Sequence, residues 1–329
     1  MPILRWRDAA GDTSLEILKE QYLDELAGSG RSEHTIENFS RIIARYVRFL
    51  KESGERAVKD DLCVETVTAY RVDLVKSGMK MSSAKTHLQA IKAWASFLTG
   101  RGLYSSNPLA SPNLLPKVPK ALPKYLTEDE RAIILDALRE PTATNVRDRA
   151  IVYLGLDTGA RVNEMAQITL GDIDFKNCEV KLKGKGGKER QVGFGRTTAS
   201  WLKLYITSYR RRAEDPAISD GRLFLCHTGH GKDGRNSIGE PLSRHGIQQV
   251  FDRISDRTGI HVTPHMLRHT FAHDFLANGG SVADLATLLG HGSEQQALWY
   301  AKVFNFEAVN RQNNNSVVDR QMQKRRGRA

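Results

Sequence analysis

Apolar residues recur every three or four positions through the first hundred residues. Leu15, Leu18, Tyr22, Leu23 and Leu26 fall on one side of a 3.6-residue turn, and Ile36, Phe39, Ile43, Tyr46, Val47 and Leu50 repeat the pattern in the next stretch. Both stretches predict amphipathic helices. "VETVTAYRVDLVKSG" and "SSAKTHLQAIKAWASFLTGRG" predict two more, each closing on glycines suited to a helix C-terminus. Residues 1–107 therefore read as a small bundle of four helices.

The helical period breaks in "NPLASPNLLPKVPKALPK", where Pro108, Pro112, Pro116, Pro119 and Pro123 supply five of the ten prolines of the chain. Proline fixes φ and lacks an N–H, so residues 108–124 predict an extended, fairly stiff linker. A second domain, 125–329, begins after it. "LTEDERAIILDAL" places Thr127 and Glu130 in the capping-box relation ahead of an apolar helical face, and "VRDRAIVYLGLDTG" predicts a helix ending at Gly159. In "IDFKNCEVKLKGKGGKERQVGFG" the period shortens to two, predicting short antiparallel strands with a basic, glycine-rich hairpin tip. Helical patterning then resumes and the chain finishes in the basic "QMQKRRGRA". The fold class expected is mainly α with a small antiparallel β-sheet: an N-terminal helical bundle followed by an α+β domain.

Composition narrows the partner. The 329 residues carry a net charge of +11, and residues 1–107 hold 16 basic against 14 acidic side chains, leaving nine of the eleven excess charges downstream. Such a balance suits a polyanion, with the strongest phosphate contacts in the C-terminal part. A stretch of about eighteen apolar residues is absent and the N-terminus lacks a signal-peptide core, so nucleic acid is favoured over a membrane and the cytoplasm is the expected compartment. Cys63, Cys178 and Cys226 lie far apart without C-x-x-C spacing, which points away from disulfides and cysteine–zinc sites.

Candidate chemistry gathers around "HMLRHTFAHDFL". His265, His269 and His273 are four apart and share one helix side, yet a zinc-hydrolase helix also needs a carboxylate base, which this stripe lacks. "GHGKDG" formally fits G-x-G-x-x-G but precedes no helical pattern, and "GGKER" fails as a phosphate loop because Lys188 is followed by Glu189. What remains is a set suited to phosphoryl transfer: Arg161 in "TGARVNE", Lys185 in "KGKGGKER", His265 and Arg268 in "PHMLRH", His291 in "LGHG" and Tyr300 in "LWYAKV". Guanidiniums can clamp the non-bridging oxygens of a phosphodiester, a lysine or histidine can protonate a leaving alkoxide, and a tyrosine hydroxyl can attack phosphorus. Arg161 also has Glu164 at salt-bridge spacing, read as a helper that orients the basic groups.

These motifs, in this order, resemble the tyrosine recombinases, the phage integrase family. The resemblance covers nearly the whole chain, and the nine-residue interval from His291 to Tyr300 matches the family pattern. Gly292 stands where many members carry serine, and Trp299 sits beside the tyrosine; neither removes a catalytic group. The resemblance implies a site-specific recombinase with a helical core-binding domain and a catalytic domain that clamp duplex DNA, acting without metal or cofactor. Tyr300 would form a 3′-phosphotyrosine, Arg161, Arg268 and His291 would stabilise the phosphorane, Lys185 would protonate the 5′-oxygen, and His265 would assist proton transfer. Of the stripe, His269 and His273 are read as packing residues, and Arg210 to Arg212 as a solvated helix end.

The resemblance further implies a tetramer on two paired sites, of this chain alone or with a related recombinase, with residues 304–322 donated to a neighbour. Only about a dozen residues precede the first predicted helix, favouring the simpler Xer or Cre layout. The alternatives are a topoisomerase of the IB type, with the same covalent chemistry but no need of paired sites, and a DNA-binding protein without catalysis.

Overall fold

Polar side chains at helix starts mark out most of the predicted elements. In this computed structural model, residues 13–119, 122–184, 187–213, 220–228, 238–290 and 295–304 are described. The chain divides into two units, Met1–Ala121 and Leu122–Ala329.

The first unit holds α1 (Leu15–Gly28), α2 (Glu33–Glu52), α3 (Val64–Lys76) and α4 (Met81–Gly100). The Ser14 hydroxyl accepts the Glu16 N–H at 3.2 Å and starts α1. Leu15 and Leu18 of α1, Ile43, Tyr46 and Leu50 of α2, Tyr70 of α3, and Leu88 and Trp94 of α4 are buried in one apolar core. Tyr46 and Tyr70 meet edge to face at 5.2 Å, and the Tyr46 hydroxyl donates to the Asp61 carbonyl at 3.1 Å, so its polar end is satisfied. The described residues of the proline-rich stretch are non-helical, as its prolines require. It is also anchored, because Leu109 and Leu114 bury themselves in this core and Arg71 donates to the Leu114 carbonyl at 3.3 Å. The leucines between the prolines supply that grip.

The second unit opens with α5 (Glu128–Ala137), where the Glu130 N–H donates to the Thr127 hydroxyl and the Thr127 N–H to the Glu130 carboxylate, at 3.2 and 2.8 Å. α6 (Ala143–Thr158) and α7 (Val162–Gln167) lead to the sheet β1 (Ile173–Asp174), β2 (Glu179–Lys183) and β3 (Glu189–Gly193), antiparallel in the order β1-β2-β3. Val180 faces Val192 and Leu182 faces Arg190 across the β2–β3 pair. Val180, Leu182 and Val192 point into the core with Ile151, Leu202 and Phe251.

α8 (Arg196–Tyr205) runs on through a π-helical turn, Ile206–Arg210, and ends at Arg211–Ala213. The wider turn carries Arg210 inward, so the "RRR" run is not wholly a solvated end. Arg210 is fully buried and donates twice to the Arg222 carbonyl, at 3.0 and 2.7 Å, while Arg211 and Arg212 stay exposed. α9 (Arg244–Thr258), α10 (Pro264–Ala277), α11 (Val282–Leu289) and α12 (Gln295–Phe304) follow among the described residues. α10 lies so close to α6 that a Cβ on Gly155 would stand 2.6 Å from Leu267 Cδ1. The "GHGKDG" loop and the tail beyond Phe304 lie outside the described residues.

Candidate active site

Two left-handed glycines set the back of the site. Gly159 ends α6 at φ 58° and Gly290 ends α11 at φ 60°; a Cβ would meet Phe271 at 2.7 Å in the first case and Arg190 at 2.8 Å in the second. Only glycine combines that backbone with that space. The ends of these helices converge on Arg268, whose guanidinium donates to the Gly159 carbonyl and to the Leu289 carbonyl, each at 2.7 Å. Helix C-termini carry partial negative charge, which suits a buried cation. Burial and the nearby positive charge of Arg161 lower the Arg268 pKa to about 10, so the group stays cationic at neutral pH.

A second anchor lies at the start of α7. Arg161 is its N-cap, and its backbone N–H donates to the Glu164 carboxylate at 2.8 Å while its guanidinium donates to the same carboxylate at 2.9 Å. Arg190, from β3, grips Glu164 bidentately at 2.9 and 2.8 Å and turns its Nε to the Leu288 carbonyl at 2.7 Å. Burial alone would raise the Glu164 carboxyl; the hydrogen bonds from Arg190 and Arg161 outweigh it and hold the group below the usual carboxylate range. The Glu164 side chain is 3% exposed, that of Arg190 12% and that of Arg161 36%. Arg161 thus keeps an open edge while its neighbours are fixed beneath it.

α12 brings Tyr300 to this floor, packed with Ala272, Leu285 and Leu289. The tyrosine is 5% exposed and shares a 2.7 Å hydrogen bond with Nδ1 of His269. Burial raises its pKa, while the charges of Arg268 and Arg161 act to lower it. His265 lies one turn back on α10, its ring stacked on that of His269 at 6.4 Å. Burial, then Arg268, Arg161 and Arg244, push the His265 pKa down, and burial with His265 and Arg268 takes His269 to about 4. With a pKa near 4, the His269 imidazole is neutral at pH 7.

Arg161, His265, Arg268 and Tyr300 therefore come together from α7, α10 and α12. Lys185 and His291 lie outside the described residues. Their neighbours border the cluster: the Gly184 N–H donates to the Lys188 carbonyl at 2.7 Å across the β2–β3 turn, and the Gly290 carbonyl accepts from Arg161 at 3.5 Å. His273 is a packing residue, stacked on Tyr125 at 3.9 Å with Nδ1 on Asp274 at 2.9 Å. His269 is half-buried on the same helix, and its ring nitrogen also meets the tyrosine hydroxyl. Arg190 escaped the sequence reading, although a signal existed: strand alternation puts it on the same face as buried Val192, where an arginine requires a buried carboxylate. Among the described residues, no three of His, Cys, Asp and Glu gather as a metal would require. The cluster sets two guanidiniums beside a tyrosine hydroxyl, residue types that can hold a phosphate and attack it.

Comparison with known proteins gives the same outline. Residues 124–306 match the model of the phage integrase family, and residues 20–102 match that of the phage integrase N-terminal SAM-like domain. The chain is 30% identical over 281 residues to tyrosine recombinase XerC of Lactobacillus delbrueckii subsp. bulgaricus, covering 83% of this chain and 90% of the relative. It is 29% identical over 276 residues to tyrosine recombinase XerD of Halalkalibacterium halodurans, covering 83% and 88%. In fold it resembles the XerH site-specific recombinase bound to a palindromic difH substrate in a post-cleavage complex, with a TM-score of 0.68 at 19% identity over 93% of this chain and 85% of that one.

Proposed function

Because the chain belongs to the phage integrase family, the tyrosine site-specific recombinases, we propose that Tyr300 cuts and rejoins duplex DNA at specific sites from the cradle formed by Arg161 and Arg268. The observation that carries this reading is the buried Arg268, held by two helix C-termini with Tyr300 and the open edge of Arg161 beside it. Tyr300 Oη attacks the scissile phosphorus, the Oη–P bond forms and the bond from phosphorus to the 5′-oxygen breaks. Arg161, Arg268 and His291 offset the charge that grows on the non-bridging oxygens. Lys185 gives its proton to the leaving 5′-oxygen and His265 assists proton transfer. The 5′-hydroxyl of a partner duplex then attacks the phosphotyrosine, restoring the tyrosine and joining the strands. The covalent link conserves the bond energy, so neither nucleotide hydrolysis nor a metal is required.

The same reading gives residues 1–107 to core binding, 108–124 to the linker and 125–329 to catalysis. The working assembly is four protomers on two sites, either four copies of this chain or copies alternating with a related recombinase, in the cytoplasm at the nucleoid. Among the described residues, no helix is long and apolar enough to cross a membrane.

A nicked duplex tests the reading, its site recovered by selecting random-sequence DNA on the full-length chain. Release of the short strand beyond the nick traps the covalent adduct, which denaturing gels resolve. The unaltered chain should accumulate adduct with or without chelator, and Tyr300→Phe should bind the same DNA within about threefold while forming none. Adduct persisting in Tyr300→Phe would assign the nucleophile elsewhere.

A further inference from the structure

We propose that His269 is a catalytic residue, the group that takes the proton from Tyr300 as it attacks and returns it when the strand is rejoined. The proposal rests on Tyr300 being the nucleophile, as argued above. Its basis is geometric: Nδ1 of His269 stands 2.7 Å from Tyr300 Oη, with the two rings tilted at 58° and their centroids 5.6 Å apart. A hydroxyl about to bond phosphorus must lose its proton, and a base at hydrogen-bond distance is where that proton goes. The stripe provides its own control, because His273, one turn further along α10, spends its Nδ1 on Asp274 and its face on Tyr125.

The surroundings fit a proton acceptor. His265 and Arg268 face the His269 ring from α10, Tyr300 faces it from α12, and the charge of Arg161 reaches the same tyrosine from the start of α7. Burial, with His265 and Arg268, keeps the imidazole neutral, and the tautomer with its proton on Nε2 presents a lone pair to Oη. In the forward step the Oη–H proton moves to Nδ1 as the Oη–P bond forms, and the anionic phosphorane between Arg161 and Arg268 offsets the new imidazolium charge. In the reverse step the 5′-hydroxyl returns its proton to Lys185 as it attacks, the P–Oη bond breaks and the imidazolium proton returns to Oη. Protons balance over the cycle, with His269 and Lys185 each ending it as they began.

The test uses the full-length chain and the nicked duplex described above, with adduct formation followed in a single turnover. His269→Asn keeps a polar atom near the Nδ1 position but cannot accept a proton. It should slow adduct formation about 100-fold, with thermal unfolding and DNA affinity close to those of the unaltered chain. Placing trifluorotyrosine at position 300, whose hydroxyl ionises near neutral pH, should bring the His269→Asn chain to within about tenfold of the His269 chain carrying the same residue. A His269→Asn chain that cleaves at the unaltered rate overturns the proposal, and so does a 100-fold deficit that trifluorotyrosine leaves in place, since His269 would then only position the ring. If the unaltered chain forms no adduct at all, the recombinase reading itself fails, and that outcome is distinct from both.

Discussion

Among the described residues of Met1–Ala121 the buried set is entirely hydrophobic, whereas Leu122–Ala329 buries Arg147, Asp148, Glu164, Asp172, Arg210 and Arg268. Both units are mostly helical, so fold class does not account for the difference. Burying a charge costs several kcal/mol unless partners replace its water, as rough figures for ion transfer go. The second unit offsets that cost with hydrogen-bonded partners. Arg147 and Arg253 share Asp148, with Arg147 also donating to the Leu225 carbonyl, and Glu164 is shared by Arg161 and Arg190. A bundle that only presents a surface needs a packed core. A site that stabilises a growing negative charge needs cations that do not relax.

The largest effect is expected at the centre of the buried set. Arg268→Ala should slow adduct formation about 10³-fold, the scale of losing a fixed donor to a developing oxyanion, while DNA affinity falls less than tenfold. Single-turnover cleavage beside a binding titration checks this, and equal losses in both would make Arg268 a binding residue only.

Glu164→Ala comes next, because it leaves Arg190 buried without its carboxylate. Denaturant unfolding should report a loss of about 4 kcal/mol, in the range for breaking a buried ion pair. The pH dependence has a definite sign. The folded pKa of Glu164 lies below its unfolded value, so its stabilisation is fully present above the ordinary carboxylate range and is lost as the pH falls through that range and below it. The Glu164→Ala chain should show a correspondingly shallower acid limb; an unchanged limb would contradict the pairing.

Leu50→Ala probes the other unit. It should cost about 3 kcal/mol as a buried leucine truncation, with no change in the acid limb and with the cleavage rate of bound complexes within about twofold. A pH-dependent loss there would erase the contrast between the units. The smallest effect belongs to His273→Ala, which removes a stacked ring and should cost about 1 kcal/mol with cleavage nearly unaltered. Cleavage falling as far as in His269→Asn would mean that the two histidines do not differ in role.

Legibility in the sequence follows the same division. Leu15, Tyr46, Leu50 and Trp94 sit at helical spacing with polar residues between them, and the four helices of the first unit could be drawn from that pattern alone. The capping box at Thr127 and the strands around Val180 and Val192 were equally plain. Arg210 was not, because a π-turn that rotates one residue inward leaves no periodic trace. At the site, Arg161, His265, Arg268 and Tyr300 were legible as residue types in an ordered set of motifs. The partner of each was not. That Arg268 meets the Gly159 and Leu289 carbonyls, 109 and 21 residues away in sequence, depends on how three helices pack. A stripe at four-residue spacing reads as a packed face, and the hydrogen bond of His269 to Tyr300 depends on where α12 arrives.

The most direct measurement is the identity of the residue that carries DNA. Adduct trapped on the nicked duplex can be digested with protease and nuclease, and the peptide bearing the residual 3′-nucleotide sequenced by mass spectrometry. The expected result is a single modified peptide spanning "LWYAKV", with the phosphate on Tyr300. A phosphate on any other tyrosine, or on serine, would contradict the central claim that the Arg161 and Arg268 cradle serves this hydroxyl.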